Sequence, residues 1–121
     1  MTKVNIGDAP HNLLHVGFHF YILGVSRSDA IGLSKYTNGT LKAVMQNKHC
    51  DMNYNLVAEL ESPKVADRLA KQLQRANVSS VHGVAIVLHS DNSMNGITVP
   101  QYIMDFYRRV GGSFSASIRI V

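Results

Sequence analysis

The chain has 121 residues, 45% of them hydrophobic and 17% charged, a balance typical of one globular domain with its own apolar core. A net charge of +4 permits an acidic protein or a nucleic acid as partner but requires neither. The single cysteine excludes an internal disulfide. The sequence shows no signal peptide, and its apolar runs are far shorter than the roughly 20 residues of a membrane helix. These features predict a cytoplasmic protein without a membrane segment.

The N-terminal part of the chain predicts a strand followed by a short helix. Residues 1–11 contain a proline break and are expected to be a loosely ordered start to a single domain over residues 1–121. Strict alternation of apolar residues predicts a strand over Leu14–Gly24. Ser28 is the expected N-cap of the helix that follows, because its side-chain oxygen can accept a backbone N–H.

The middle of the chain predicts a hairpin and then an amphipathic helix. Apolar residues alternate over 41–46 and again over 54–61, which indicates two strands paired as a hairpin. Ser62 suits the N-cap of the next helix, and Pro63 suits its first position, where the missing N–H costs nothing. The helix carries an apolar stripe at helical period, formed by Val65, Ala66, Leu69, Ala70, Leu73 and Ala76.

The C-terminal part predicts a strand, a helix and a last strand. The apolar run over 81–90 is typical of a central strand covered on both faces. Thr98 is expected to cap the next helix, which should end at Gly111. Alternation over 113–121 predicts the last strand. Its inward positions are expected to be Phe114, Ala116, Ile118 and Ile120.

The predicted order of elements is therefore β-α-β-β-α-β-α-β. This order favours an α+β fold with a single, mainly antiparallel sheet and with helices packed on one face. The first six elements match the split βαβ order of ferredoxin-like domains. The last helix and strand would form a C-terminal αβ extension.

Three histidines recur every fourth residue, at His11, His15 and His19. On a helix they would share one face, where histidines can bind zinc. On the predicted strand His15 and His19 lie roughly 13 Å apart at about 3.3 Å per residue, too far to share an ion. A pairing with His82 or His89 on a neighbouring strand stays open, but the ligand spacings of metal sites are absent, so no metal is predicted.

Four cations follow one line along the predicted helix that begins at Ser62: Lys64, Arg68, Lys71 and Arg75, at i, i+4, i+7 and i+11. They form either an ordinary solvated face or a docking surface for an acidic protein or a phosphate backbone. Sheet proteins that bind nucleic acid usually stack bases on strand aromatics. Here only Tyr21 lies on the histidine-bearing face, and the RNP pattern is missing, so nucleic-acid binding is disfavoured.

No arrangement of residues in the sequence predicts catalysis. The glycine patterns of dinucleotide and phosphate loops are absent, no Ser-His-Asp triad can be placed, and the acidic residues are scattered. His49 precedes Cys50, but adjacent side chains on an extended chain point to opposite sides, so the two make a poor dyad. We expect a protein that is not an enzyme and that uses no cofactor.

Two stretches of the chain resemble a known family. "FHFYILGVSRSDAIGL" is a strand, a turn and a short helix, and "VHGVAIVLHSDNSMNGITVPQYIMDFYRRVGGSFSASIRIV" is a strand, a loop, a helix, a double glycine and an alternating strand. Together they are similar to a bacterial family of small α+β proteins of unknown function, some of which occur as immunity proteins beside toxins. The resemblance implies a cytoplasmic protein that neutralises a toxin by direct binding.

The leading hypothesis is therefore an immunity or inhibitor protein whose partner is a protein toxin with an acidic surface. The residues expected to contact it are Lys64, Arg68, Lys71, Arg75, His15, His19 and Tyr21. One alternative is a ferredoxin-like regulatory module that binds a small ligand at the loop from Ser26 to Asp29 and uses a dimer interface at a sheet edge. A second alternative is nucleic-acid binding through the basic helix face. The oligomeric state stays open.

Overall fold

The structure is a computed structural model, and it describes residues 13–45, 54–76, 78, 80–90 and 98–120. The expectation for residues 1–11 lies outside this range, as do the expectations for His11, His49 and Cys50.

The described residues form five strands and three helices. In chain order they are β1 (Leu13–Val25), α1 (Arg27–Tyr36), β2 (Lys42–Met45), β3 (Tyr54–Glu59), α2 (Pro63–Ala76), β4 (His82–Ser90), α3 (Gln101–Val110) and β5 (Ser113–Ile120). The α+β class is confirmed. β1, the longest element of the sheet, extends the predicted strand by one residue at each end.

All five strands belong to one mixed sheet with the order β2-β3-β1-β4-β5. β2 and β3 pair antiparallel, as the predicted hairpin requires, and β1 pairs antiparallel with both β3 and β4. β5 pairs parallel with β4, because the chain crosses over through α3 between them. The central position of β1 means that the sheet joins distant parts of the chain.

The core lies on one face of the sheet, here called the inner face. Phe20 and Ile22 of β1 are fully buried there, with Leu56 of β3 and Val84 of β4 beside them. All three helices contribute to the same cluster, through Ala30 of α1, Ala66, Leu69, Ala70 and Leu73 of α2, and Ile103 and Phe106 of α3. The rings of Phe20 and Phe106 meet edge to face at 5.4 Å, which fixes α3 against the centre of the sheet.

Of the predicted helix starts, the one at Ser62 is confirmed. The backbone N–H of Val65 donates to Ser62 Oγ at 3.2 Å, and Pro63 is the first helical residue. The prediction for Ser28 is wrong, because α1 begins earlier. Ser26 has an extended backbone, and its Oγ accepts the backbone N–H of Asp29 at 3.2 Å, which places Ser28 inside the first turn.

The prediction that Thr98 caps α3 is also wrong. The N-cap is Pro100, which offers no side-chain oxygen, and the backbone N–H of Ile103 donates to the Pro100 carbonyl at 3.0 Å. Pro100 has φ fixed near the value that a helix entrance needs, so it can begin the helix without a side-chain cap. At the other end, Gly111 has φ 76 and ends the helix as predicted.

Two expectations about buried positions are corrected. Phe114 of β5 is half-buried against Tyr107 of α3, with ring centroids 5.1 Å apart, but Ala116 is exposed because β5 is the edge strand. The side chains at Ile118 and Ile120 lie outside the described ones. β4 is not covered on both faces by the described residues, since all three helices pack on the inner face and leave Ala85 and Val87 half-buried on the other.

Candidate functional surfaces

The predicted basic stripe lies on the solvent side of α2. Lys64, Arg68, Lys71 and Arg75 are all exposed. The opposite side of the same helix buries Leu69 and Leu73 in the core, so the orientation of α2 is fixed by its apolar stripe. No described residue covers these four cations, and one of them, Lys71, pairs with Asp67.

Asp67, which interrupts the stripe in sequence, connects α2 to α3. Its Oδ1 accepts a hydrogen bond from the Arg109 guanidinium at 2.7 Å, and its Oδ2 lies 3.1 Å from Lys71 Nζ. The hydrogen bond from Arg109, followed by that from Lys71, lowers the pKa of the Asp67 carboxyl below its ordinary value of 3.8. The carboxylate thus orients two cations of neighbouring helices toward the same region of solvent.

The helices α2 and α3 together carry an excess of positive charge, and we call their charged surface the basic helix layer. It contains six cations, Lys64, Arg68, Lys71, Arg75, Arg108 and Arg109, and two carboxylates, Asp67 and Asp105. Six minus two gives +4, which equals the net charge of the whole chain, 12 basic against 8 acidic residues. The remainder of the sequence is therefore neutral overall.

Arg108 and Arg109 were not among the predicted contact residues. In the sequence they are two cations in the last turn of a helix, a position that the helix dipole already explains. Only the packing of α3 on α2 brings Arg109 to Asp67, at a sequence separation of 42 residues. No local pattern in the sequence predicts this contact.

Two other predicted contact residues, His19 and Tyr21, lie on the sheet face opposite the core, here called the outer face. Since Phe20 and Ile22 point inward, the alternation of β1 places His19 and Tyr21 on the outer face, where both are half-buried. His19 is in register with Glu59 of β3 on one side and with Ala85 of β4 on the other. Among the described residues no helix lies over this face.

Tyr21 lies against a glycine rather than standing free. Its register partner on β4 is Gly83, and a Cβ atom on Gly83 would lie 2.7 Å from the Tyr21 hydroxyl oxygen. The same Cβ would also overlap the Ser113 carbonyl of β5. The Tyr21 side chain therefore lies over Gly83, in the space that a side chain at position 83 would occupy. Aromatic residues placed in this way stabilise glycines in sheets.

The histidines do not assemble into a metal site in the described part of the chain. His15 is in register with His89, but the side chains of these two residues lie outside the described ones. His82 points to the inner face, as the partner of Ile22, and so cannot join His19 on the outer face. Within the described residues, no group of three or more His, Cys, Asp or Glu could hold a metal ion.

His82 instead bridges two chain segments. Its Nδ1 lies 2.7 Å from the Ser80 carbonyl oxygen, and its Nε2 lies 3.2 Å from the carbonyl oxygen of Val110 at the end of α3. Its ring also packs beside Phe20, with centroids 6.0 Å apart. The sequence left His82 open as a possible metal ligand. Its contacts in the structure instead join β4 to the end of α3.

A groove of about 310 Å³ lies beside the first turn of α1. Ser28 and Asp29, two residues of the loop predicted to bind a ligand, belong to its lining. The remaining lining residues are Val25, Gly32, Leu33, Ala76, Val78 and Ser80. The groove lining combines one carboxylate and two hydroxyls with the apolar side chains of Val25, Leu33 and Val78.

Comparison of the chain with known protein families, with curated proteins and with solved structures finds no match. None of the helices in the described part of the chain has both the length and the apolar character needed to cross a membrane.

Proposed function

We propose that this chain is a protein-binding domain that docks an acidic surface of a partner protein onto its basic helix layer. The observation that carries the proposal is the distribution of charge. The net charge of the whole chain is concentrated on two packed helices, with four exposed cations in one line along α2. Such a surface attracts a complementary partner over a distance and orients it during the encounter.

Two features favour a protein over a nucleic acid. Asp67 and Asp105 lie among the cations, and carboxylates repel a phosphate backbone but can pair with cations at the edge of a protein contact. The tyrosines of α3 are also occupied within the chain. Tyr102 donates its hydroxyl to the Leu60 carbonyl at 3.0 Å, and Tyr107 packs against Phe114, so neither offers a free ring for base stacking.

Within this class we propose an immunity or inhibitor role in the cytoplasm, the partner being a toxin that the domain neutralises by covering an essential surface. The resemblance of the strand-helix segments to a family with immunity proteins supports this choice. Inhibition of this kind requires no chemistry from the domain itself. It requires tight contact, in which a few central residues supply most of the binding free energy.

The experiment compares two double variants for binding and protection. Arg68→Gln with Arg75→Gln removes two charges from the basic helix layer, whereas Arg27→Gln with Lys35→Gln removes two exposed charges from α1. Each variant is co-expressed with a toxin-like protein encoded beside its gene, and complex formation is measured by calorimetry at two salt concentrations. The proposal expects the α2 variant to lose protection and about tenfold or more in affinity, and the α1 variant to keep both.

Equal behaviour of the two variants would show that the basic helix layer is not the contact surface. A complex whose affinity does not change with salt would contradict an electrostatic contribution. Tight, salt-dependent binding to RNA or DNA without any protein complex would favour the nucleic-acid alternative instead.

We further propose that the first six elements form a ferredoxin-like unit, to which α3 and β5 are added. The sheet order β2-β3-β1-β4, with antiparallel neighbours throughout, supports this assignment.

The groove at Ser28 and Asp29 favours a second candidate function, a regulatory module that binds a small amine with an apolar body. A thermal-shift screen with amino acids and amines tests it, with Asp29→Asn as the variant expected to lose any ligand-induced shift. The absence of a shift with the unmodified chain would reject it.

A further inference from the structure

The two edges of the sheet differ in how they are protected. β2 forms one edge and has only four residues, the first of them Lys42. β5 forms the other edge and has eight residues, all in continuous register with β4 from Ser113 to Ile120. None of the described residues pairs with the free side of β5. An edge of this length presents a row of unpaired backbone N–H and C=O groups.

The sequence of β5 contains few of the features that normally block an edge strand. Proteins protect such strands with lysines, prolines, bulges or a covering element. From Ser113 to Ser117 the strand has no charge, no proline and no break in register. Consecutive residues of a strand point to opposite faces of the sheet. Exposure is nevertheless shared by Ser115, Ala116 and Ser117, so no described residue covers either face at this point.

We propose that β5 pairs antiparallel with β5 of a second copy of this chain, about a two-fold axis at Ala116. The pairing would join two five-stranded sheets into one continuous sheet. Rotation about a two-fold axis perpendicular to the sheet does not exchange its two faces. The inner faces of both copies, and the helices packed on them, therefore lie on the same side of the joined sheet.

The strand is self-complementary in this arrangement, which favours a second copy over a foreign strand. Ala116 lies opposite itself, and Ser115 lies opposite Ser117, so the centre is formed by small residues of matched polarity. Position 114 lies opposite position 118, which sets Phe against Ile.

Charge favours the antiparallel direction. Arg119, the one charged residue of β5, falls opposite Ser113 of the second copy. A parallel pairing in register would instead place Arg119 opposite Arg119, and like charges directly opposite each other are destabilising. The antiparallel dimer therefore avoids the only charge conflict that the strand contains.

The contact area of one strand pair is small, so we expect a weak dimer that forms as the concentration rises. Sedimentation equilibrium of the full chain measures this directly. The average mass should increase from 13.3 kDa toward twice that value. A mass that stays at one chain up to about 1 mM would overturn the proposal.

Charge variants at the two-fold axis test the register. Ala116→Lys places two ammonium groups opposite each other and should weaken the dimer about tenfold or more, and Ala116→Glu should act in the same way. Mixing the two variants should restore association as a one-to-one dimer, because the opposite charges then meet. The matched control is Val44→Lys on the other edge strand, where the side chain is 51% exposed, and it should leave the mass unchanged.

A covalent trap provides a second, independent readout. In a Cys50→Ser background, Ala116→Cys places one thiol on each side of the axis, within the Cα separation of about 4.4–6.8 Å that disulfides span. Mild oxidation should give a covalent dimer, whereas Val44→Cys in the same background should not. Association that survives Ala116→Lys, or a failure of the mixed variants to associate, would show that β5 is not the contact.

Discussion

The inner and outer faces of the sheet are built from the same strands but from different kinds of residue. On the inner face β1 presents Phe20 and Ile22, and three helices cover them. On the outer face the same strand presents Gly17, His19 and Tyr21, and β4 adds small residues such as Ala85. The helices cover the face on which β1 places Phe20 and Ile22, and the burial of these large apolar side chains favours that packing because the free energy gained grows with the apolar area removed from water.

The largest expected effect comes from breaking the inner face. Phe106→Ala removes the ring that packs edge to face against Phe20, and Phe106 is 2% exposed, so the change leaves a cavity in the core. We expect the free energy of unfolding to fall by about 3–5 kcal/mol, measured by urea denaturation. Val44→Ala, at an exposed position, is the control and should change it by less than about 0.5 kcal/mol. Similar losses for both variants would contradict the assigned core.

The next effect concerns the outer face and depends on one glycine. In Gly83→Ala the added methyl meets the Ser113 carbonyl and the Tyr21 hydroxyl, so we expect a loss of about 1–3 kcal/mol. In Gly32→Ala the methyl enters open space on α1, and removing a helical glycine should stabilise the protein by about 0.5–1 kcal/mol.

The two glycine variants are compared by thermal and urea denaturation, and their opposite signs are the test. The double variant Gly83→Ala with Tyr21→Ala separates the two close approaches. The Ser113 carbonyl is part of the backbone and cannot move aside. We therefore expect Gly83→Ala to lower the stability by a similar amount when Tyr21 is already alanine. If Gly83→Ala caused no loss of stability in the Tyr21→Ala protein, the tyrosine alone would limit the space above Gly83.

The smallest effect belongs to Asp67, on the helix surface farthest from the sheet. Its pKa is lowered in the folded state, so its contribution to stability is present above the unfolded value of 3.8 and is lost as the pH falls through the folded value. Asp67→Asn should therefore flatten the fall in melting temperature below about pH 4. Added salt should reduce the difference between the two proteins, because the groups are exposed. Identical pH profiles in low salt would contradict the role of the Arg109 contact.

Much of the fold could be predicted from the sequence, because periodicity reports which side of an element is buried. The alternation from Leu14 and the stripe of α2 identified both elements and their buried sides. The helix starts were less predictable. Ser26 and Ser28 have the same chemistry, and only the backbone conformation of Ser26 decides which one caps α1.

The candidate surface was predictable only where it lies on one element. The spacing of Lys64, Arg68, Lys71 and Arg75 is a property of a single helix, so the exposed stripe could be derived from the sequence. The addition of Arg109 and the contact of His82 with the Val110 carbonyl depend on how α3 packs, which no local pattern encodes. The exposure of Ala116 depends in the same way on the place of β5 in the sheet.

The central position of β1 also affects the order of events during synthesis on the ribosome. β1 ends at Val25 and its neighbour β4 begins only at His82, so β1 leaves the ribosome well before β4 does. Phe20 stays without its partner Phe106 for longer still. Pairing across such separations carries a loop-closure cost and delays folding. β1, which holds the fully buried Phe20 and Ile22, is thus synthesised well before the last elements that cover it, and apolar surface exposed in this way during folding is prone to aggregation.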